Sequence, residues 1–210
     1  IKRVSQQNPI APAEYLAMSA TPIPRSLHMA LSGLRDVSII ATPPADRQSV
    51  ETTIMRHSEG KIQNMLEREL KRGGQAFFLH NRIQTLQTTA KRLQELLPNA
   101  KIQIAHGQMK RAVLEETILG FMKRKFQILV CTSIIENGID LPNVNTIMID
   151  NAHMMGLAQL YQLRGRVGRS SRRGFCALLI PPHGLPKEAL SRISALQRYT
   201  ELGAGFSIAT

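Results

Sequence analysis

The sequence predicts an α/β fold, a parallel sheet with helices on both faces, and three observations carry the prediction. Short apolar runs of strand length recur through the middle of the chain. Amphipathic stretches with helical period separate them. The runs are rich in Ile, Leu, Val and Phe along their length, as strands covered on both faces are. Strands alternating with helices of this length form βαβ units.

In chain order, Tyr15–Ser19 is a short strand, followed by Thr21-Pro22-Ile23-Pro24 and a helix to about Ser32 that Gly33 stops. Ala41-Thr42-Pro43-Pro44-Ala45-Asp46 is an extended linker, because adjacent prolines forbid helix and favour polyproline II. Ile62, Met65, Leu66 and Leu70 share one helix face, ended by Gly73-Gly74. Gln75–Leu79 is a strand, and Ile83, Leu86, Ala90, Leu93 and Leu97 mark a helix that Pro98 closes. Lys101–Ala105 is the next strand, Leu114, Ile118 and Phe121 the next helix, and Gln127–Cys131, Asn145–Asp150 and Gly174–Ile180 the remaining strands. A short helix runs from Gly156 to Leu163, and an amphipathic helix from Pro186 to Leu202, broken by Gly203 and Gly205.

Composition narrows the partners. The chain has 210 residues, enough to bury roughly 70% of its unfolded surface without disulfide staples. Lys and Arg number 27 against 15 Asp and Glu, a formal net charge of +12. With 43% hydrophobic residues this is a folded body, not a basic tail, so its excess charge lies on the surface. Nucleic acid is the expected polyanion, ahead of an anionic membrane. No apolar run approaches the roughly 20 residues that span a bilayer, and no apolar stretch follows the basic opening as in a signal peptide. That opening is not Met and reads as the middle of a longer sequence, so a fragment is expected. Cys131 and Cys176 lie in apolar runs and are expected to be reduced core thiols of a cytoplasmic protein; no metal-ligand spacing occurs.

Three stretches carry chemistry. In Gln162-Leu163-Arg164-Gly165-Arg166-Val167-Gly168-Arg169, glycines permit tight turns and close approach of a phosphate. The guanidinium fork matches phosphate oxygens bidentately. Five Arg fall within 164–173, a density that is costly to hold without a neutralising anion, although a solvated basic loop is the plainer reading. Thr132-Ser133-Ile134-Ile135-Glu136-Asn137-Gly138-Ile139-Asp140 begins where a strand ends, the edge at which ligands collect in open parallel sheets. Asp140 is also an ordinary turn residue before Leu141-Pro142. Ser19-Ala20-Thr21 likewise follows a strand, and Thr21 can equally serve as a helix cap.

In this order and spacing the three stretches resemble motifs III, V and VI of the superfamily 2 helicases. Met18-Ser19-Ala20-Thr21-Pro22-Ile23-Pro24-Arg25, Ala105-His106-Gly107-Gln108-Met109 and Gly156-Leu157-Ala158-Gln159-Leu160-Tyr161 look like the branch of double-stranded DNA translocases that holds RecG and the transcription-repair coupling factors (Mfd). Leu31–Pro44 and Leu202-Gly203-Ala204-Gly205-Phe206 are similar to the coupling-factor side of that branch. Asn137 stands where the family pattern has Thr, and keeps a hydrogen-bonding side chain.

The resemblance implies a RecA-like, helicase C-terminal fold. Residues 1–44 would be the tail of a first RecA-like domain and a linker, 45–180 the second domain, and 181–210 the start of the translocation-in-RecG helical segment. It implies that Arg166 and Arg169 act on the γ-phosphate of ATP, that Gln162 and Gly165 meet the nucleotide, and that Gly138 and Asp140 lie near its ribose. Thr132, Ser133, His106 and Gly107 would follow the phosphates of a DNA strand, and Ser19, Thr21 and Glu136 would couple the two sites. Neither a Gly-x-x-x-x-Gly-Lys-Ser/Thr loop nor an Asp-Glu box occurs in the chain, so both are expected before Ile1, where most of ATP and Mg2+ would be held. Without them the chain alone is expected to be inactive. The function implied is the C-terminal half of an ATP-driven double-stranded DNA translocase in the bacterial cytoplasm. It would remove stalled RNA polymerase and couple transcription to excision repair, meeting polymerase and repair proteins through other regions, as a monomer. The alternatives are a RecG-type helicase of branched DNA, or a nucleic-acid-binding module without catalysis. With three Tyr, six Phe and no Trp, base stacking is not the expected grip.

Overall fold

The computed structural model describes Ser38 and residues 49–136, 141–169 and 172–198. The strand expected at Tyr15–Ser19, the helix to Ser32, the linker at 41–46 and the last turn of the terminal helix lie outside the described residues. Six strands run β1 Glu51–Arg56, β2 Gln75–Leu79, β3 Ile102–Ala105, β4 Ile128–Cys131, β5 Val144–Ile149 and β6 Phe175–Ile180. Their order in the sheet is β1-β6-β5-β2-β4-β3, and every neighbouring pair is parallel. Helices α1 Glu59–Lys71, α2 Ile83–Leu96, α3 Arg111–Met122, α4 Leu157–Arg164 and α5 Lys187–Arg198 connect or follow them.

Because successive side chains on a strand point to opposite faces, each strand feeds two cores. Phe77, Leu79, Leu129, Cys131, Ile147, Ile149, Cys176 and Leu178 enter one, with Phe121 of α3, Leu160 and Leu163 of α4, and Ile193 and Leu196 of α5. Ala76, Phe78, Ile128, Val130, Met148, Ala177 and Leu179 enter the other, beneath Ile62 and Leu66 of α1 and Leu86, Ala90 and Leu93 of α2. The predicted periodicities of α1 and α2 are therefore the buried faces observed. Both cysteines are free and fully buried, and burial pushes their thiols up, Cys176 to about 12.

One strand was not expected. Glu51-Thr52-Thr53-Ile54-Met55-Arg56 has no apolar run, because β1 is an edge strand whose side chains are only partly covered. Its Thr-Thr-Ile core is β-branched, a weaker signal than hydrophobicity. The end of α1 agrees with expectation: Gly73 takes φ +72, and the Gly74 N–H donates to Glu69 O at 3.1 Å.

Phe121 shows no solvent exposure and packs with its ring centre 5.5 Å from that of Phe77 and 6.2 Å from that of Phe126. Phe121→Ala is expected to lower unfolding free energy by about 3–5 kcal/mol in urea titration; a loss of about 1 kcal/mol or less would show that the site collapses around the smaller side chain.

Candidate functional site

In a parallel sheet every strand ends on the same edge, so the segments after the strands form one surface. Ala105 pairs with Cys131 at the ends of β3 and β4, and the Thr132 N–H donates to Ala105 O at 3.3 Å. His106-Gly107 and Thr132-Ser133 consequently leave the sheet side by side. A Cβ on Gly107 would stand 3.7 Å from Ile134 Cγ2, so the two segments touch. Gly107 is exposed, Ser133 and His106 are half-buried, and Thr132 is buried. The corner thus combines an exposed Gly107 with a half-buried Ser133.

Sequence reasoning missed the neighbouring pair. His80 and Asp150 follow β2 and β5, whose last residues, Leu79 and Ile149, pair across the sheet. His80 Nδ1 lies 2.8 Å from Asp150 Oδ2, and its Nε2 lies 2.7 Å from Thr85 Oγ1 in the first turn of α2. Both residues are buried. Burial alone would raise the Asp150 carboxyl, but the hydrogen bond and charge of His80, helped by His57 and the Asn151 N–H, hold it below its ordinary range. The available signal was a titratable residue directly after an apolar run, at Leu79-His80 and at Ile149-Asp150.

The arginine stretch lies elsewhere. Helix α4 leaves the carboxyl edge after β5 and returns the chain to the amino edge, where β6 begins. Leu160 and Leu163 bury its inner face, Gln162 is half-buried, and α4 packs beside the short 3-10 turn Ser133–Glu136. Its last residue, Arg164, is buried: Nη1 donates to Leu196 O of α5 at 2.9 Å, and the guanidinium lies 4.7 Å from the centre of the Tyr161 ring. Gly165 then caps α4, donating its N–H to Tyr161 O at 3.1 Å. Gly168 takes φ +68, and a Cβ on Gly174 would fall 2.8 Å from Gly168 Cα. Backbone meets backbone there, so only glycine fits.

Arg166 and Arg169 leave this turn half-buried, and Arg169 Nε donates to Gly165 O at 3.3 Å. The turn thus carries two half-buried arginines on a backbone fixed at Gly165 and Gly168. Three further arginines of the cluster also have partners within the protein. Arg164 holds α5, Arg172 Nη1 donates to Arg72 O at 2.8 Å, and Arg173 pairs with Glu51 at 3.3 Å. The density of charge that suggested an anion therefore has protein partners for much of its length.

His106, Gly107, Thr132 and Ser133 come together at the carboxyl edge, while Gly165, Arg166 and Arg169 sit past the far end of α4, with Gln162 along the helix between. Ser19, Thr21, Gly138, Asp140 and the side chain of Glu136 lie outside the described residues. Among the described residues no three His, Cys, Asp or Glu side chains gather to hold a metal ion, and no helix is long and apolar enough to cross a membrane.

Residues 60–171 match the family described as the helicase conserved C-terminal domain. The chain is 50% identical over 198 residues to a transcription-repair-coupling factor of Myxococcus xanthus, covering 94% of the chain and 16% of that protein. It is 49% identical over 197 residues to the transcription-repair-coupling factor of Staphylococcus aureus strain NCTC 8325, covering 93% of the chain and 17% of that protein. The chain spans about a sixth of the length of these curated relatives. Among solved structures, RecG bound to a three-way DNA junction aligns with TM-score 0.77 and 35% identity, covering 91% of this chain and 26% of that one. Saccharomyces cerevisiae Dbp5 bound to RNA and ADP BeF3, at TM-score 0.60 and 18% identity, covers 87% of this chain and 48% of that one, and shares the fold. These likenesses bear out the RecA-like α/β architecture.

The Asp150 pair has a pH signature. A carboxyl held below its unfolded value of about 3.9 contributes its full stability above that pH and loses it as pH falls through the folded value. Urea unfolding from neutral pH to about pH 3 is expected to show a steeper acid loss for the parent than for Asp150→Asn; parallel curves would mean that the pair contributes nothing.

Proposed function

We propose that this chain, which belongs to the helicase conserved C-terminal domain family, is the second lobe of an ATP-driven double-stranded DNA translocase of the transcription-repair-coupling type. The observation that carries the reading is the turn after α4. There Gly165 and the Gly168–Gly174 contact fix a backbone from which Arg166 and Arg169 emerge half-buried. Identity of 50% over 94% of the chain supports the coupling-factor assignment over a RecG-type helicase, at 35%.

On this reading Arg166 and Arg169 form the far wall of a nucleotide cleft whose near wall belongs to another lobe, spanned in part by residues 1–44. ATP supplies the phosphoryl group whose transfer to water drives each step. Guanidinium groups suit that donor set, since they carry fixed charge and two parallel N–H donors toward the oxygens that gain charge. Gln162, half-buried one turn before Arg166, would sense the nucleotide, with Gly165 alongside and Gly138 and Asp140 near the ribose. Among the described residues no three His, Cys, Asp or Glu side chains gather for the Mg2+ that accompanies ATP, and on this reading the other lobe would hold most of it. Gly107, His106, Ser133 and Thr132 would follow DNA phosphates along the carboxyl edge, without reading sequence. Ser19, Thr21 and Glu136 would couple the two sites. Residues 45–180 would form this lobe and 181–210 the start of a helical segment that moves on DNA. Removal of stalled RNA polymerase and delivery to excision-repair proteins would use other regions of a monomeric protein of the bacterial cytoplasm.

Arg166→Ala in the full-length protein is expected to lower ATP turnover by about a thousandfold while DNA affinity stays within a few-fold. Arg169→Ala should behave alike. Hydrolysis near the parental rate in either would remove the assignment. DNA binding by the chain itself should weaken steeply with salt and ignore base sequence, because +12 charge without aromatic platforms leaves counterion release as the driving force. A titration in which affinity hardly moves between low and moderate salt would contradict phosphate tracking.

A further inference from the structure

Just past Arg166, Gly168 meets Gly174 backbone to backbone, and the Glu51 N–H donates to Gly174 O at 2.9 Å, tying that contact to β1. The returning limb, Arg172-Arg173, is gripped from a different direction, by the residue that caps the C-terminus of α1. Arg72 Nη1 donates to Arg173 O at 3.1 Å, and Arg172 Nη1 donates back to Arg72 O at 2.8 Å. The Arg72 guanidinium also lies 5.0 Å from the centre of the Phe175 ring, the first residue of β6, with Arg68 at the same distance.

What orients Arg72 is a buried carboxylate. Glu69 is 1% exposed, and its Oε2 accepts from Arg72 Nε at 2.9 Å and from Arg72 Nη2. The same carboxylate accepts from Thr146 Oγ1 at 2.5 Å and Asn145 Nδ2 at 3.3 Å at the start of β5. Gly74 leaves the space: a Cβ there would fall 1.6 Å from Glu69 Oε1. One guanidinium therefore uses two of its nitrogens on Glu69, the third on the Arg173 carbonyl and its face on Phe175. A lysine could keep the charge but not the fork.

We infer that Arg72, oriented by Glu69, is a positioning residue that sets the turn carrying Arg166 and Arg169 against the nucleotide. The inference rests on the reading of those two arginines as phosphate-facing groups. Arg72 touches neither substrate nor reacting atoms. It acts by holding the returning limb so that the turn has one position instead of several, and small misplacements of a charge-stabilising group cost rate steeply.

Removing Arg72 alone leaves a buried carboxylate without its cation, which can unfold the domain. The decisive variant is therefore Arg72→Gln with Glu69→Gln, which removes both charges and keeps amide groups in the site, studied in the full-length protein beside Arg72→Lys and Arg166→Ala. The double variant is expected to be folded by circular dichroism, to lose roughly tenfold to a hundredfold in kcat, and to change KM for ATP by less than about threefold. Arg72→Lys should show a smaller loss in kcat. Hydrogen exchange should accelerate in residues 166–174 with protection of β2 and β4 unchanged, which a general loss of stability would not give. If the folded double variant turns over ATP at the parental rate, or its exchange at 166–174 is unaltered, the positioning role is overturned while a dead Arg166→Ala leaves the phosphate-facing reading standing. If Arg166→Ala hydrolyses ATP normally, that reading falls and the positioning role falls with it.

Discussion

A parallel sheet cannot leave a face to water, because its crossover connections lie over both faces and its strands are apolar on each. That constraint shapes the rest of this molecule. Phe77 and Phe78, adjacent in β2, must each have a cover, and they get it from α3 on one side and α1 and α2 on the other. With both faces filled by helices, buried polar groups such as His80, Asp150, Glu69 and Thr146 gather toward its two edges. All strands point the same way, so the edges are chemically different. One collects the residues that follow strands, the other those that follow helices.

Each edge solves the same electrostatic problem differently. At the carboxyl edge, Asp150 and His80 are buried together, and the ion-pairing geometry holds the carboxyl in its charged form against desolvation. That pair ties β2, β5 and the first turn of α2 together beside the corner where His106 and Ser133 emerge. At the amino edge, Glu69 is buried with four donors around it, and its partner Arg72 reaches on to the segment after α4. Buried charges of this kind contribute less to net stability than to uniqueness of arrangement when fully satisfied.

The two edges are also linked through the fold. Helix α4 spans from one to the other, packing beside the Ser133–Glu136 turn on its way and handing the chain to the Gly165–Arg169 turn at its end. Arg164 at that end holds the Leu196 carbonyl of α5, so the helix that follows the sheet is fastened to the same point. A shift of α4 would be felt at three places, by contact, because close-packed elements move as units.

Hydrophobic period alone determined much of this protein. The apolar runs at Gln75–Leu79 and Gly174–Ile180, and the helix faces through Ile62 and Leu86, were legible because burial on a repeating geometry leaves a repeating pattern. The tight turn at Gly168 was legible too, since its φ of +68 suits glycine, but the backbone contact with Gly174 was not. β1 was not, because an edge strand needs little apolar surface and is recruited by β6 from far along the chain. Nor were the surroundings within the arginine cluster: nothing local distinguishes Arg164, which is buried, from Arg166, which is half-buried. Partners such as Glu69 with Thr146, or His80 with Asp150, are about seventy residues apart in sequence and have no spacing to read. Only the sheet order, which sets β2 beside β5 and carries α1 across to them, brings such groups within hydrogen-bonding distance. Local pattern encodes which surfaces are buried, and tertiary pairing decides which charges face one another there.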